Sequence, residues 1–379
     1  MKILVTSETY YPLKDGTQNI TQNHMEELAR RGHEVTVITE TVKGVALEEV
    51  HNKVRIFRID ISTKFGVHYG NKREYLRLVK DLIENNEILI VVGVQKATTD
   101  LILSMLHEIK IPKILYMHGK YDLNYDLFFR NKSLASLFKN LWYNLRWSIY
   151  YLKFPKYLKE FDKTINIFSE DSATEYCLKH NCKVEILNNF VETQFLNNKM
   201  ENKENYIICV SNYSELKNQK DVLSSFMRAN TKDYKMIFVG SSENSYLLEL
   251  KKYASKSKKS IDFLTNLQRK DICELLSKSK LFLFASKTEK LPVVLLESMA
   301  SKTPFISTNV GMVKFLPGGI TVTNNKEMVS WINTFIDNEN LIKKYGEIGK
   351  EYVEKEFSHN IQSEKLEQLL YESISNRKG

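Results

Sequence analysis

Cysteine is scarce in this chain, which has four cysteines among 379 residues. Their spacing is not that of metal ligands, and their density is far below that of a disulfide-rich scaffold. The sequence therefore gives no support to a cysteine-bound metal or a disulfide framework. We expect buried thiols at Cys177, Cys182, Cys209 and Cys273.

Long apolar runs are also missing. Residues 1–6 are typical of a first β-strand and not of a signal peptide. The apolar segment 87–94 is far shorter than the roughly twenty residues that a membrane-spanning helix needs. The sequence predicts a cytoplasmic protein, whose only attachment to the inner face of the cell membrane would be peripheral.

Internal repeats and low-complexity segments are absent as well. A chain of this length favours two domains, and its hydrophobic fraction of 42% allows a large core in each. The formal net charge of +9 points to an anionic partner. Charge alone does not choose among a nucleotide, a nucleic acid and an anionic membrane.

Short β-rich segments alternate with helical ones along the whole chain. This rhythm predicts an α/β protein with mostly parallel sheets. A polar stretch rich in Asn and Lys, residues 197–205, interrupts the alternation. We therefore predict two Rossmann-like domains facing across a cleft, residues 1–196 and 197–357, and a C-terminal helix, residues 358–379, that packs back on the first domain. Predicted strands are residues 2–6, 34–39, 54–58, 87–92, 113–117, 164–168 and 183–187, then 206–210, 234–239, 260–264, 281–285, 303–307 and 319–322.

Two carboxylates bracket an apolar run after the predicted strand 281–285. Glu289 and Glu297 stand there, where α/β proteins bind ligands beyond the carboxyl ends of their strands. Ionised carboxylates accept hydrogen bonds from sugar and ribose hydroxyls. The alternative is that an acid near a helix start only interacts with the helix dipole.

Three further residues follow predicted strands. Gly16, in the first turn, could let backbone amides approach a phosphate, although most Asp-Gly pairs are only turns. His118 ends the strand 113–117, but structural histidines are common. Lys217 could neutralise a diphosphate or could be one of many solvated lysines.

Together these segments resemble the retaining GT-B glycosyltransferases of glycosyltransferase family 4, of the E-x7-E type. The similarity covers nearly the whole chain, and the motifs occur in the family's order and spacing. They are Tyr11-Pro-Leu-Lys-Asp-Gly16, residues 27–39, Ile186-Leu-Asn-Asn-Phe-Val-Glu192, residues 210–219, 238–240 and 261–264, the segment from Glu289 to Glu297, and residues 303–311.

The resemblance implies transfer of a sugar from a nucleotide diphosphate sugar, with retention of configuration and without a metal ion or other cofactor. Electrostatic stabilisation of the leaving diphosphate would drive the reaction. Lys217 would hold the diphosphate together with the amides around Gly16, Glu297 would bind the ribose, and Leu267 would lie near the nucleobase.

The donor sugar would be held by a second set of groups. Glu289 would accept hydrogen bonds from its hydroxyls, with the backbone NH groups of Lys290 and Leu291 nearby, and His118 would line the same side. The resemblance implies a hexosyltransferase that uses a UDP-sugar by default, with a GDP-sugar second.

The chain departs from the family at several positions. Asn212 replaces the usual Arg, and Ser214 does not restore the charge. Asp15 and Lys290 replace glycines, and Lys290 or Lys14 could supply the missing cation. These changes raise the alternative of a non-catalytic partner or binding subunit, although activity is favoured because Lys217 and both glutamates remain.

The segment 128–157 is rich in aromatic residues and cations. Leu134, Leu137, Leu141, Leu145, Ile149 and Leu152 have helical spacing and are expected in the core. We expect the flanking Tyr143, Trp147, Tyr150 and Phe154, with Trp142, Lys139, Arg146 and Lys153, to form either an interfacial helix on an anionic membrane or the acceptor cleft. The acceptor would then be lipid-linked, as in the assembly of bacterial surface polysaccharide, lipopolysaccharide or capsule.

Two other classes fit less well. The first turn lacks the G-x-G-x-x-G of nicotinamide-dependent oxidoreductases, which would also leave the paired glutamates unexplained. A nucleic-acid-binding protein would fit the charge, but the chain contains no recognised module.

Overall fold

The computed structural model describes residues 1–13, 16–64, 66–120, 134–198 and 202–378. The chain forms two compact units. Unit 1 consists of Met1–Asn188 with Ser363–Gly379, and unit 2 of Asn189–Gln362. Unit 2 therefore begins at residue 189, before the polar stretch that the sequence suggested as the boundary.

Unit 1 is built on an eight-stranded sheet with the order β10-β9-β8-β7-β1-β2-β4-β3. Neighbouring strands are parallel except for the edge pair β3 and β4. A separate antiparallel hairpin consists of β5 and β6. The strands are β1 Lys2–Thr6, β2 Glu34–Glu40, β3 Glu48–His51, β4 Val54–Ile59, β5 Ile61–Lys64, β6 Val67–Gly70, β7 Ile88–Val92, β8 Lys113–Met117, β9 Lys163–Asn166 and β10 Val184–Ile186.

Helices cover both faces of this sheet. They are α1 Gly16–Arg30, α2 Lys72–Ile83, α3 Ala97–Asp100, a 3-10 helix at Leu103–Glu108, α4 Leu134–Lys153, α5 Pro155–Leu158 and α6 Ser172–Lys179. Because both faces are covered, central strands are apolar throughout, and every residue of Ile88–Val92 is buried. Alternate side chains enter two cores: Leu89 and Val91 lie in one, and Ile88 and Ile90 in the other.

The C-terminal segment completes unit 1. Helix α14, His359–Lys378, contributes Leu366, Leu369 and Leu370 to the core that contains Ile88 and Ile90. Glu367 on this helix contacts His33 at 2.7 Å and accepts a hydrogen bond from Arg31 at 3.0 Å. Unit 1 therefore contains two separate chain segments.

Unit 2 contains a six-stranded, all-parallel sheet with the order β13-β12-β11-β14-β15-β16. Its strands are β11 Glu204–Val210, β12 Lys235–Gly240, β13 Ile261–Thr265, β14 Ser279–Phe284, β15 Phe305–Thr308 and β16 Gly319–Val322. Its helices are α7 Thr193–Leu196, α8 Gln219–Arg228, α9 Ser245–Ala254, α10 Arg269–Lys278, α11 Val293–Ala300, α12 Asn325–Ile336 and α13 Glu339–Glu356, with a 3-10 helix at Val313–Phe315.

The predicted α/β class with two mostly parallel sheets is confirmed. The sequence missed β3, β5 and β6, which are short and partly exposed and so lack a hydrophobic run. None of the helices in the described ranges is both long and apolar enough to cross a membrane.

Candidate active site

The strand order of unit 2 contains a switch point, the place where open α/β sheets bind ligands. Strands β11 and β14 are neighbours. After β11 the chain continues to β12 on one side of this pair, and after β14 it continues to β15 on the other side. The loops that follow such strands diverge and leave a crevice at their carboxyl ends. Lys217 follows β11, and Glu289 follows β14.

Lys217 and Glu289 form an ion pair between these two loops, with Glu289 Oε1 against Lys217 Nζ. Both side chains are only partly accessible, 26% for Lys217 and 14% for Glu289. Glu289 precedes α11, which has no acidic residue in its first turn. The helix-dipole explanation of this glutamate is therefore wrong.

Hydrogen bonds fix the loop that carries Lys217. The amide of Gln219 donates to the carbonyl of Ser211 at 3.2 Å and to that of Asn212 at 3.0 Å. The left-handed Asn218, at φ 52°, turns the chain into α8. The backbone NH of Lys287 donates to Leu216 O at 2.9 Å and joins this loop to the Glu289 loop.

Gly311 supports the Glu289 loop from the other side. Its φ is 52°, and a Cβ atom there would lie 2.4 Å from Glu289 O and 2.3 Å from Lys290 O. Met312 N donates to the same Lys290 carbonyl at 2.9 Å. Only glycine allows this close approach of two backbone segments.

Glu297 lies on α11, and its side chain is buried under Arg269. Arg269 Nη2 is 2.5 Å from Glu297 Oε1, and Nη1 is 3.4 Å from Oε2. Burial raises the pKa of Glu297, and the charge of Arg269 opposes that rise. Burial also disfavours the charge of Arg269, but Glu297 and Glu192 together raise the pKa of this guanidinium above its ordinary value.

Sequence reasoning missed Arg269. It is the first residue of α10 and follows the predicted nucleobase neighbour Leu267 at the carboxyl edge of β13. Its position at the carboxyl edge of the sheet is the feature from which Arg269 could have been predicted. Glu192 also accepts a hydrogen bond from Arg269 Nη2 at 2.9 Å, and the guanidinium lies over the ring of Phe195 at 4.8 Å.

The other predicted residues of unit 2 differ in exposure. Asn212 is exposed, whereas Leu267 and Lys290 are partly buried. Leu291 is buried, and its carbonyl accepts a hydrogen bond from Asn189 at 3.2 Å. Asn212 adds no charge at the position where the resembled family usually has Arg.

In unit 1, His118 follows β8 and its ring packs on Tyr116, with centroids 4.2 Å apart. Its Nε2 is 3.2 Å from the hydroxyl of Thr21 on α1. Burial lowers the pKa of His118 to about 4, so the imidazole is neutral at physiological pH. Helix α1 begins at Gly16, while Lys14 and Asp15 lie outside the described residues.

Helix α4 reverses the expected assignment of its faces. Trp147 and Phe154, expected on the interfacial stripe, are buried, with exposures of 6% and 1%. Four aliphatic residues expected in the core, Leu141, Leu145, Ile149 and Leu152, are exposed instead, while Tyr150 and Phe154 pack in the unit 1 core. With Phe138 and Trp142 they form an exposed apolar stripe. Side chains at 134–137 and 139 lie outside the described set.

Arg146 and Lys153 border this stripe. Lys153 is exposed, whereas Arg146 is partly buried and lies over the ring of Trp147 at 5.4 Å. Tyr143 and Tyr150 are also partly buried. Of the predicted membrane or acceptor residues, Trp142 and Lys153 are therefore accessible, and the prediction for Trp147 is wrong.

A polar network that sequence reasoning missed joins the hairpin and α4 to the edge of the unit 1 sheet. Glu8 accepts hydrogen bonds at 2.9 Å from both the backbone NH and the hydroxyl of Thr63. That hydroxyl is 3.1 Å from His68 Nδ1, and His68 Nε2 is 2.8 Å from Asp100. Tyr150 donates to Asp100 at 2.7 Å.

The cysteines of the described chain are free thiols; Cys177, Cys209 and Cys273 are buried as expected, while Cys182 is partly exposed. Across the described residues, no group of three or more His, Cys, Asp and Glu side chains is arranged to hold a metal ion. The predicted site residues form two groups. Lys217, Glu289 and Glu297 lie in unit 2, and Gly16 and His118 in unit 1.

Two family models match consecutive parts of the sequence. The family described as Glycosyltransferase Family 4 matches residues 14–195, and that described as Glycosyl transferases group 1 matches residues 191–352. The N-acetyl-alpha-D-glucosaminyl L-malate synthase of Bacillus anthracis is 26% identical over 227 residues, which are 55% of this chain and 58% of that protein. The chain thus spans little more than half the length of that relative.

Solved structures resemble the chain over its whole length. A glycosyltransferase from Rickettsia africae has a TM-score of 0.75 at 16% identity, with 99% of each chain covered. HepE of Anabaena, solved with UDP and glucose, has a TM-score of 0.68 at 14% identity, with 98% of this chain and 100% of that chain covered. At such low identity these likenesses show the fold alone, which is GT-B. Since the two family models together span residues 14–352, the chain belongs to the GT-B glycosyltransferases, with a family 4 domain followed by a group 1 domain.

Proposed function

We propose that this glycosyltransferase moves a hexose from a nucleoside diphosphate sugar to a glycan acceptor, with retention of anomeric configuration. The observation that carries the proposal is the pairing of Lys217 with Glu289 at the carboxyl edge of β11 and β14. A cation for a diphosphate and a carboxylate for sugar hydroxyls meet there. Stabilisation of the leaving diphosphate is the task of the cation, and positioning of the sugar is that of the carboxylate.

Lys217 neutralises charge on the leaving diphosphate, so the proposed reaction needs no metal ion. When the donor binds, the diphosphate replaces Glu289 as the partner of Lys217, and the freed carboxylate accepts hydrogen bonds from the sugar. Glu297 binds the ribose, and Leu267 lies beside the base. UDP is the favoured nucleotide and GDP the second, because the similar Anabaena structure was solved with UDP and glucose.

In unit 1, desolvation lowers the pKa of His118 to about 4, so its imidazole is neutral and can donate or accept a hydrogen bond with a sugar hydroxyl. The amide groups at the start of α1, near Gly16, suit a phosphate.

The acceptor is a lipid-linked glycan at an anionic membrane surface, as in bacterial surface polysaccharide, lipopolysaccharide or capsule assembly. The exposed apolar stripe of α4 supports this, since such a face on a charged helix is typical of interfacial binding. The helix contains three cations, Lys139, Arg146 and Lys153, and no acidic residue. The protein is therefore cytoplasmic and peripheral at the inner face of the membrane in this proposal.

Titration calorimetry with UDP and GDP tests the donor site. The wild-type protein binds one of them, and Lys217→Met weakens that binding about tenfold or more because it removes a charge-assisted contact. Lys326→Met, an exposed lysine on α12, is the matched control and binds as the wild type does. A wild-type protein that binds neither nucleotide contradicts the proposal.

A non-catalytic, glycosyltransferase-like binding subunit is the second candidate. Exposed Asn212, at the position where the family usually has Arg, is the observation that favours it. This candidate predicts nucleotide binding without turnover of any nucleotide sugar. It also predicts that Glu289→Ala leaves function intact.

A further inference from the structure

Arg269 is shared between two carboxylates of different exposure. The Glu297 side chain is 4% exposed, whereas that of Glu192 is 37% exposed. The guanidinium bridges them and rests on the ring of Phe195. Its position is therefore fixed by an ion pair on each side and an aromatic face.

We propose that Arg269 is a positioning residue that holds the Glu297 carboxylate in the orientation that binds the two ribose hydroxyls of the donor. This inference rests on the proposed function, because it concerns the same nucleotide site. In this proposal the preference for a ribose that carries both hydroxyls depends on Arg269 as well as on Glu297.

The carboxylate of Glu297, like any ionised carboxylate, offers about four acceptor positions, two on each oxygen. Arg269 lies on Oε1 at 2.5 Å and approaches Oε2 at 3.4 Å, so it occupies one position on each oxygen. Two acceptor positions remain, which is the number that the two neighbouring hydroxyls of a ribose need.

Arg269 also favours the ionised form of Glu297. A buried carboxylate without a partner tends to bind a proton, which removes acceptor capacity. Burial does raise the pKa of Glu297, and the charge and hydrogen bond of Arg269 oppose that rise. Removal of Arg269 therefore favours the protonated acid, and it does so more strongly as the pH falls.

The test compares binding of the better nucleotide, UDP or GDP, with binding of its 2′-deoxy analogue. Calorimetry is done at about pH 6 and about pH 8 on wild type, Arg269→Met, Arg269→Lys and the control Lys270→Met, the exposed next residue of α10. Wild type prefers the ribonucleotide by about tenfold at both pH values, as expected for one charge-assisted hydrogen bond. Lys270→Met behaves identically.

Arg269→Met loses most of that preference, and its residual affinity is lower at about pH 6 than at about pH 8. Arg269→Lys keeps the charge but not the two-point contact and falls between. An Arg269→Met protein that keeps the preference at both pH values overturns the inference while leaving the proposed function intact. Tighter nucleotide binding by Arg269→Met also overturns the inference, because Arg269 would then block Glu297 until the donor displaces it. Failure of the wild-type protein to bind either nucleotide contradicts both proposals.

Discussion

At the scale of single residues, charge and burial decide what each group can do. Lys217 and Glu289 balance each other in a partly accessible crevice, so a ligand can exchange with either partner. Glu297 is more deeply buried and depends on Arg269 for a counter-charge. His118 has the opposite character, since burial removes its charge.

The lowered pKa of His118 predicts a specific dependence of stability on pH. Folding favours the neutral form of His118. Its contribution to the free energy of unfolding is therefore complete above the ordinary pKa of about 6.5 and is lost as pH falls toward about 4. The difference amounts to at most about 3 kcal/mol. Denaturant unfolding of wild type and His118→Gln at several pH values measures it. An equal loss of stability in both proteins between about pH 6.5 and about pH 4 would contradict this pKa.

The close packing around Gly311 predicts that one added methyl group displaces the Glu289 loop. In Gly311→Ala the new Cβ meets two carbonyls of the Glu289 loop at 2.4 Å or less, so this loop must move. We expect a loss of about 1–3 kcal/mol in unfolding free energy and weaker nucleotide binding. Gly32→Ala is the matched control, since Gly32 also has a positive φ, 94°, but an added Cβ meets nothing within 4 Å. If both variants bind the nucleotide equally well, the loop does not depend on Gly311.

At the scale of secondary-structure elements, α4 has two faces of different environment. One face packs Tyr150 and Phe154 into the unit 1 core, and the other presents the exposed apolar stripe. The spacing of apolar residues predicted the helix but not which face is buried, because apolar residues occur around most of its circumference. Large rings that fit against Gly66 and Asp100, such as those of Trp147 and Tyr150, determine the inward face.

Substitutions on the two faces of α4 should therefore act on different properties. Leu145→Gln with Ile149→Gln changes unfolding free energy by less than about 1 kcal/mol but reduces flotation with anionic vesicles. Trp147→Ala costs about 3–5 kcal/mol because it leaves a cavity in the core. Wild-type protein that does not float with anionic vesicles at moderate salt would contradict the membrane proposal.

At the scale of the whole molecule, the sequence predicted the class of fold and most of its parallel strands. Repeated apolar segments such as Ile88–Val92 made this possible, since buried parallel strands are continuous hydrophobic runs. The positions of Glu289 after β14 and of Glu297 on the helix that follows were also predictable. Arg269 and the network around Glu8 were not, because their partners are distant in sequence and their contacts depend on the folded chain.

We expect this GT-B protein to be an active transferase that retains configuration and depends on Glu289. Proton NMR of the anomeric region measures this during incubation of the protein with UDP-glucose, UDP-galactose, UDP-N-acetylglucosamine or GDP-mannose. At least one donor should be consumed, and the first product signal should have the anomeric configuration of that donor. Glu289→Gln should slow consumption about a hundredfold or more. A first product of inverted configuration would contradict retention, and no consumption of any donor would contradict transferase activity.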